Sequence, residues 1–180
     1  MKNIVCRLSC FLFLLSLTAT AVAQELVFPP PAAEISAANR ATLDPWSGRW
    51  AGTFDVYDTR GTRTTRLSVS QHYWWDGAVQ RATFVEVDAN GTQTTAKAAN
   101  YQDAAGNLVC TVEKSNGERS LHVGTVTDGY LFWHANRPET TEVFKERVEG
   151  AGEAAVYAID GFGVYGGQAY LFSGRYARPE

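Results

Sequence analysis

The stretch that decides the fold is Leu67-Ser68-Val69-Ser70-Gln71-His72-Tyr73-Trp74-Trp75-Asp76-Gly77-Ala78-Val79-Gln80-Arg81-Ala82-Thr83-Phe84-Val85-Glu86. Its two halves alternate in polarity and are rich in β-branched and aromatic residues, the signature of half-buried strands. Asp76-Gly77 between them is a two-residue hairpin signal, because its residues tolerate the positive φ that such turns need. A turn there sets Trp75 opposite Ala78, Tyr73 opposite Gln80, Gln71 opposite Ala82, Val69 opposite Phe84 and Leu67 opposite Glu86. Leu67, Val69, Gln71, Tyr73, Phe84 and Glu86 then share an inner face, while Arg66, Ser68, Ser70, His72 and Arg81 face water.

The same grammar runs along the chain. Asn90-Gly91, Asn116-Gly117, Asp128-Gly129 and Asp160-Gly161 punctuate short alternating segments. The predicted strands cover residues 49–57, 64–75, 78–88, 92–101, 107–114, 118–126, 130–135, 141–148, 154–159 and 168–177. No connection can hold a crossover helix, so sequence neighbours should pair antiparallel. The expectation is an all-β fold: a single antiparallel up-and-down meander β-barrel of about ten strands. Closure removes the two edges that an open sheet would expose. A barrel of this size encloses room for a small molecule.

Three registers refine the interior. At Ala89-Asn90-Gly91 a three-residue loop with Gly91 left-handed turns Thr94, Ala96, Ala98 and Asn100 inward and Lys97 outward. At Asp128-Gly129, Thr127 meets Tyr130, which puts His122 and His134 on opposite faces and disfavours a two-histidine metal site. Which of the two points inward stays open at this stage. In 141–148, placing Lys145 and Arg147 in water sends Phe144 inward together with Glu142 and Glu146. Residues 160–167, with glycines around Phe162 and Tyr165, read as either a hairpin turn or a flap at the mouth.

Domain organisation follows from length and from the N-terminus. The chain has 180 residues, 45% of them hydrophobic and 19% charged, which is one domain with a real core and excludes a disordered chain. Residues 1–23 read as a secretory signal: Lys2 and Arg7, an apolar run at 11–17, and Ala21-Val22-Ala23 as a cleavage site before Gln24. Residues 24–44 are a lead-in with an extended Pro29-Pro30-Pro31 and a short helical piece within 32–41; residues 45–180 form the barrel. Cleavage removes two cations and moves the net charge from −3 to −5. No basic cluster remains, so nucleic acid is excluded as a partner and no membrane span is expected after cleavage. Cys110 is left as the single cysteine, alternating with Leu108 and Val112 as an inert core thiol.

A family resemblance enters at Gly48-Arg49-Trp50, a Gly-x-Trp that opens the first strand after Leu43-Asp44-Pro45-Trp46-Ser47. With the strand plan it resembles the calycin superfamily: lipocalins, fatty-acid-binding proteins and the ten-stranded nitrobindin-like barrels. The resemblance implies that Trp50 plugs the closed end and that an arginine of the last strand packs on its indole. Arg175, in Gly174-Arg175-Tyr176, is the residue it points to. It also makes haem a candidate cofactor, with His134 in Leu131-Phe132-Trp133-His134 as the nearest ligand. The chain departs from lipocalins in strand number and in lacking a C-terminal helix and cystines.

The expected function is an exported, periplasmic or extracellular barrel that holds a small apolar or amphipathic molecule. Gln71, Tyr73, Phe84, Glu86, Trp133, Glu142, Phe144 and Tyr157 are its candidate ligand-binding residues. The alternative is an enzyme in the same barrel, a lyase, isomerase or cyclase, with Glu86, Glu142, His134 and Tyr157 as candidate acid–base groups. No metal ligands are assigned.

Overall fold

A computed structural model of the chain describes residues 26–137 and 140–179. The predicted signal, 1–23, lies outside the described residues. Ten antiparallel strands follow one another around a closed barrel. They are β1 Gly48–Asp58, β2 Arg63–Asp76, β3 Val79–Val87, β4 Gln93–Gln102, β5 Leu108–Lys114, β6 Arg119–Thr127, β7 Tyr130–Arg137, β8 Thr140–Glu149, β9 Val156–Tyr165 and β10 Gln168–Ala177. β10 returns to β1, with Ala51 opposite Ala177 and Thr53 opposite Arg175, so the sheet has no free edge.

The turns explain the registers. Thr127 pairs with Tyr130 across Asp128-Gly129, both at positive φ, as the dipeptide predicts. The loop at 89–91 closes with Gly91 donating to the Asp88 carbonyl and Asp88 to that of Thr92. The same loop recurs at Asp58–Thr62 and Asp103–Asn107, where the aspartate side chain also accepts from the amides two and four residues on. The β2–β3 turn differs from expectation. It centres on Gly77-Ala78, with Tyr73 opposite Ala82 and Gln71 opposite Phe84. A turn centred there needs positive φ only at Gly77, whereas the predicted centre would impose it on Asp76 as well. The pairing shifts by two residues, so parity and the inner face are unchanged.

β9 requires a larger correction. Asp160-Gly161 is not a turn and 160–167 is not a flap: the strand runs on to Tyr165, and the chain reverses at Gly166-Gly167. Gly161 is extended, and a Cβ there would run into the Val143 carbonyl of β8. This glycine permits a close approach of two strands rather than a reversal.

One end of the barrel is closed by the lead-in. Helix α1, Ala37–Leu43, starts at Ser36, whose side chain accepts from the Asn39 amide, and a 3₁₀ turn, Asp44–Trp46, follows it. Leu43, Trp46 and Trp50 are buried together there, Trp50 only 1% exposed. Trp50 Nε1 donates to the Trp46 carbonyl at 2.7 Å and the Gln80 amide donates to the Leu43 carbonyl at 2.7 Å. Arg178 lies over the Trp50 ring at 3.7 Å and donates to the Ser47 carbonyl at 2.7 Å. The arginine on the indole is therefore Arg178 and not Arg175. Tyr176 and Phe172 face inward, so alternation sends Arg175 outward to an ion pair with Asp160 at 2.9 Å. Farther up the lead-in, Pro29 takes a hydrogen bond from Tyr101 and Pro31 bridges to Asp103, beside a small outer cluster of Val79, Ala99, Tyr101 and Val109.

Candidate functional site

Above the floor of Trp46 and Tyr157 the barrel is hollow, with a cavity of about 360 Å³. Phe54, Leu67, Val69, Phe84, Ala96, Ala98, Val112, Leu131, Trp133, Phe144, Ile159 and Phe172 give it an apolar wall. Small side chains on β4, Ala96 and Ala98, leave this space open opposite the aromatic wall of β7–β10. Phe144 stacks on Phe172 with centroids 5.5 Å apart, and Tyr73 meets Phe84 edge-on at 5.7 Å.

Polar groups occupy two levels. Near the floor, Glu146 projects inward from β8 and accepts hydrogen bonds from the Tyr157 hydroxyl and the Trp133 indole. Burial pushes its carboxyl from an ordinary 4.5 to about 7, and those two hydrogen bonds oppose the rise only in part. Tyr157 and Tyr73 are hydrogen-bonded to each other, and burial, then the Glu146 charge, raises both phenols well above 10. Cys110 lines the same level; burial and the Glu146 charge push its thiol far above its usual range, so it is no nucleophile. Toward the other end, His122 Nε2 lies 2.8 Å from Glu142 Oε2, and the Tyr165 hydroxyl donates to Glu142 Oε1 at 2.7 Å. His122 and Glu142 are both buried. Lys114 stands at this end too, 3.4 Å from Glu118 and 3.9 Å from Glu86.

Two side-chain atoms of cavity-lining residues are themselves buried with no hydrogen-bond partner among the described residues: Gln71 Oε1 and Trp46 Nε1. Each costs stability unless something meets it. Deeper polar side chains are satisfied internally, Asn100 donating to Gln80 at 3.0 Å.

No family model matches the sequence, and neither does any curated protein. Among solved structures, the S-type phycobiliprotein lyase from Guillardia theta matches at 8% identity with a TM-score of 0.56, covering 78% of this chain and 92% of that one. The fold is a calycin-like barrel. A de novo designed fluorescence-activating β-barrel also aligns, at 10% identity and a TM-score of 0.39, over 78% of this chain and 98% of the design.

Within this calycin-like barrel all eight sequence-predicted ligand-binding residues, Gln71, Tyr73, Phe84, Glu86, Trp133, Glu142, Phe144 and Tyr157, line one cavity. His134 does not. It pairs with Val123 and Val143 on the outer face and is exposed, so it can serve neither as an acid–base group in the cavity nor as a haem ligand there. The inward histidine is His122, whose Nε2 is engaged by Glu142. The residues therefore do not fit the haem that the resemblance implied. No group of three or more metal-ligating side chains forms among the described residues. Nor is any helix there long and apolar enough to cross a membrane.

Proposed function

We propose that the protein is an exported binding protein that holds one small, largely apolar molecule inside the barrel. The observation that carries this reading is the largely apolar cavity of about 360 Å³ inside the barrel, with a few polar side chains on its wall. That volume falls within the range of about 300–1,000 Å³ typical of ligand pockets. Burying a ligand against Phe84, Phe144, Phe172 and Trp133 gains about 25 cal/mol per Å² of apolar area, and a few convergent polar groups set its orientation. Export rests on the signal-like residues 1–23. The test is a titration with Nile red, a neutral apolar dye. The intact barrel should take up one equivalent with blue-shifted emission, and Ala98→Phe, which fills the cavity, should abolish uptake while the barrel stays folded. Equal dye binding by the filled variant would defeat the reading.

A second reading is favoured by Glu146 specifically. A buried carboxyl titrating at about 7 beside a phenol is suited to move a proton on a bound molecule near neutral pH. On this reading Glu146 exchanges the proton, Tyr157 holds the carboxyl in place, and the reaction class is lyase, isomerase or cyclase. A turnover rate following the Glu146 titration would mark it.

A further inference from the structure

Resting on the ligand-binding reading, we infer that the cavity selects a neutral or cationic hydrogen-bond donor, such as an amine, an alcohol or an N–H heterocycle on an apolar body, and rejects fatty-acid-like anions.

The deep lining carries one ionisable carboxyl, Glu146, among the phenols of Tyr73, Tyr157 and Tyr176. Gln71 Oε1 is buried and has no partner among the described residues. Glu146 has two donors on it, from Tyr157 and Trp133, whereas a carboxylate can accept about four hydrogen bonds. Tyr73 is next to Gln71 on the inner face of β2 and is hydrogen-bonded to Tyr157, which bonds Glu146. A ligand bearing a donor at this depth meets the remaining acceptor positions of Glu146 and, once the Gln71 amide turns toward it, that oxygen as well.

Charge points the same way. Glu86, Glu118, Glu142 and Glu146 all line the cavity. Among the described residues lining it, Lys114 is the one lysine or arginine, and it already serves Glu86 and Glu118. An anionic head group seated deep would meet Glu146 with no lysine or arginine of the described lining beside it, Lys114 being held at the far end, and like charges at short range at a buried carboxylate oppose binding. The unpaired donor Trp46 Nε1 is itself buried away from the hollow and does not reverse this. A ligand hydroxyl brings no charge and can both donate to Glu146 and accept from a neighbouring phenol. The neutral wall of Phe54, Leu67 and Phe172 accommodates the rest of the molecule.

Three probes with one naphthyl body isolate the head group: 2-naphthylmethylammonium, 2-naphthylmethanol and 2-naphthoate, titrated calorimetrically into the full-length protein at pH 8. The ammonium and the alcohol should each bind at least about tenfold more tightly than the naphthoate. Glu146→Gln should reduce the ammonium-to-naphthoate ratio by about tenfold, and Gln71→Leu should weaken the ammonium and the alcohol by about fivefold. Tightest binding of naphthoate, or ratios that both substitutions leave as they were, would overturn the inference while the ligand-binding reading stood. Failure of all three probes to bind would overturn both. If Glu146→Gln does not fold, the Gln71→Leu series decides the matter alone.

Discussion

Glu142 and Glu146 stand four residues apart on one strand and one face, yet they sit in different chemistry. Glu142, far from the floor, has an imidazole at 2.8 Å and a phenol at 2.7 Å. Glu146, near the floor, has a phenol and an indole and its titration is displaced by burial to about 7. Strand alternation put both inside; depth in the barrel decides what each can do. A carboxyl with an ionisable partner serves as an anchor, while one surrounded by neutral donors becomes a group whose proton can be exchanged.

The comparison can be broken at its base. Trp50 lies under the floor, with Tyr157 edge-on at 5.8 Å. Trp50→Ala should cost about 3–5 kcal/mol by chemical denaturation, since a fully buried indole leaves a void at the closed end. In whatever fraction stays folded, the Glu146 titration should fall toward 4.5 as water reaches it.

Next in size is Glu146→Gln. The sign follows from the raised value. Below about pH 4.5 the carboxyl is neutral in both folded and unfolded chains. Between 4.5 and about 7 the unfolded chain releases a proton that the folded chain keeps, so stability falls as pH rises. Above about 7 the full penalty, about 3 kcal/mol, is present. Glu146→Gln should remove this slope, so that the wild type minus variant difference in stability grows more negative by that amount from pH 4 to pH 8. A difference that stays flat across that range would mean Glu146 ionises as freely as in water.

Tyr157→Phe sharpens the contrast. It removes one of the two hydrogen bonds that favour the Glu146 anion, so the carboxyl should titrate above about 7, read from its infrared carbonyl band. The smallest effect belongs to the outer carboxyl. Tyr165→Phe leaves His122 on Glu142 and should cost about 1 kcal/mol or less in thermal unfolding, with the Glu146 titration unmoved.

The barrel was legible because its turns carry their own chemistry. Asp128-Gly129 and Asn90-Gly91 specify loop length, and loop length with alternation specifies the inner face. Gly161 misled for a physical reason: glycine marks both a left-handed turn and a place where another backbone comes close, and sequence does not distinguish them. Arg175 was a failure of parity, since Tyr176 beside it had to face inward; Arg178, just past the strand, has the inward parity. Glu146 was placed on the inner face with Glu142 but stood out only once the floor was visible. The side of a sheet can be read from alternation, whereas depth depends on α1 and the Asp44–Trp46 turn folding over one end. His122 and Tyr165 escaped because their partner, Glu142, is on another strand.

Native mass spectrometry of the protein isolated from its own source tests the central claim most directly. The account predicts a population heavier than the bare chain by one neutral or cationic small molecule, lost on extraction with organic solvent and absent from Ala98→Phe. A single bare mass, together with a melting temperature that neither Nile red nor the naphthyl probes can raise, would contradict it.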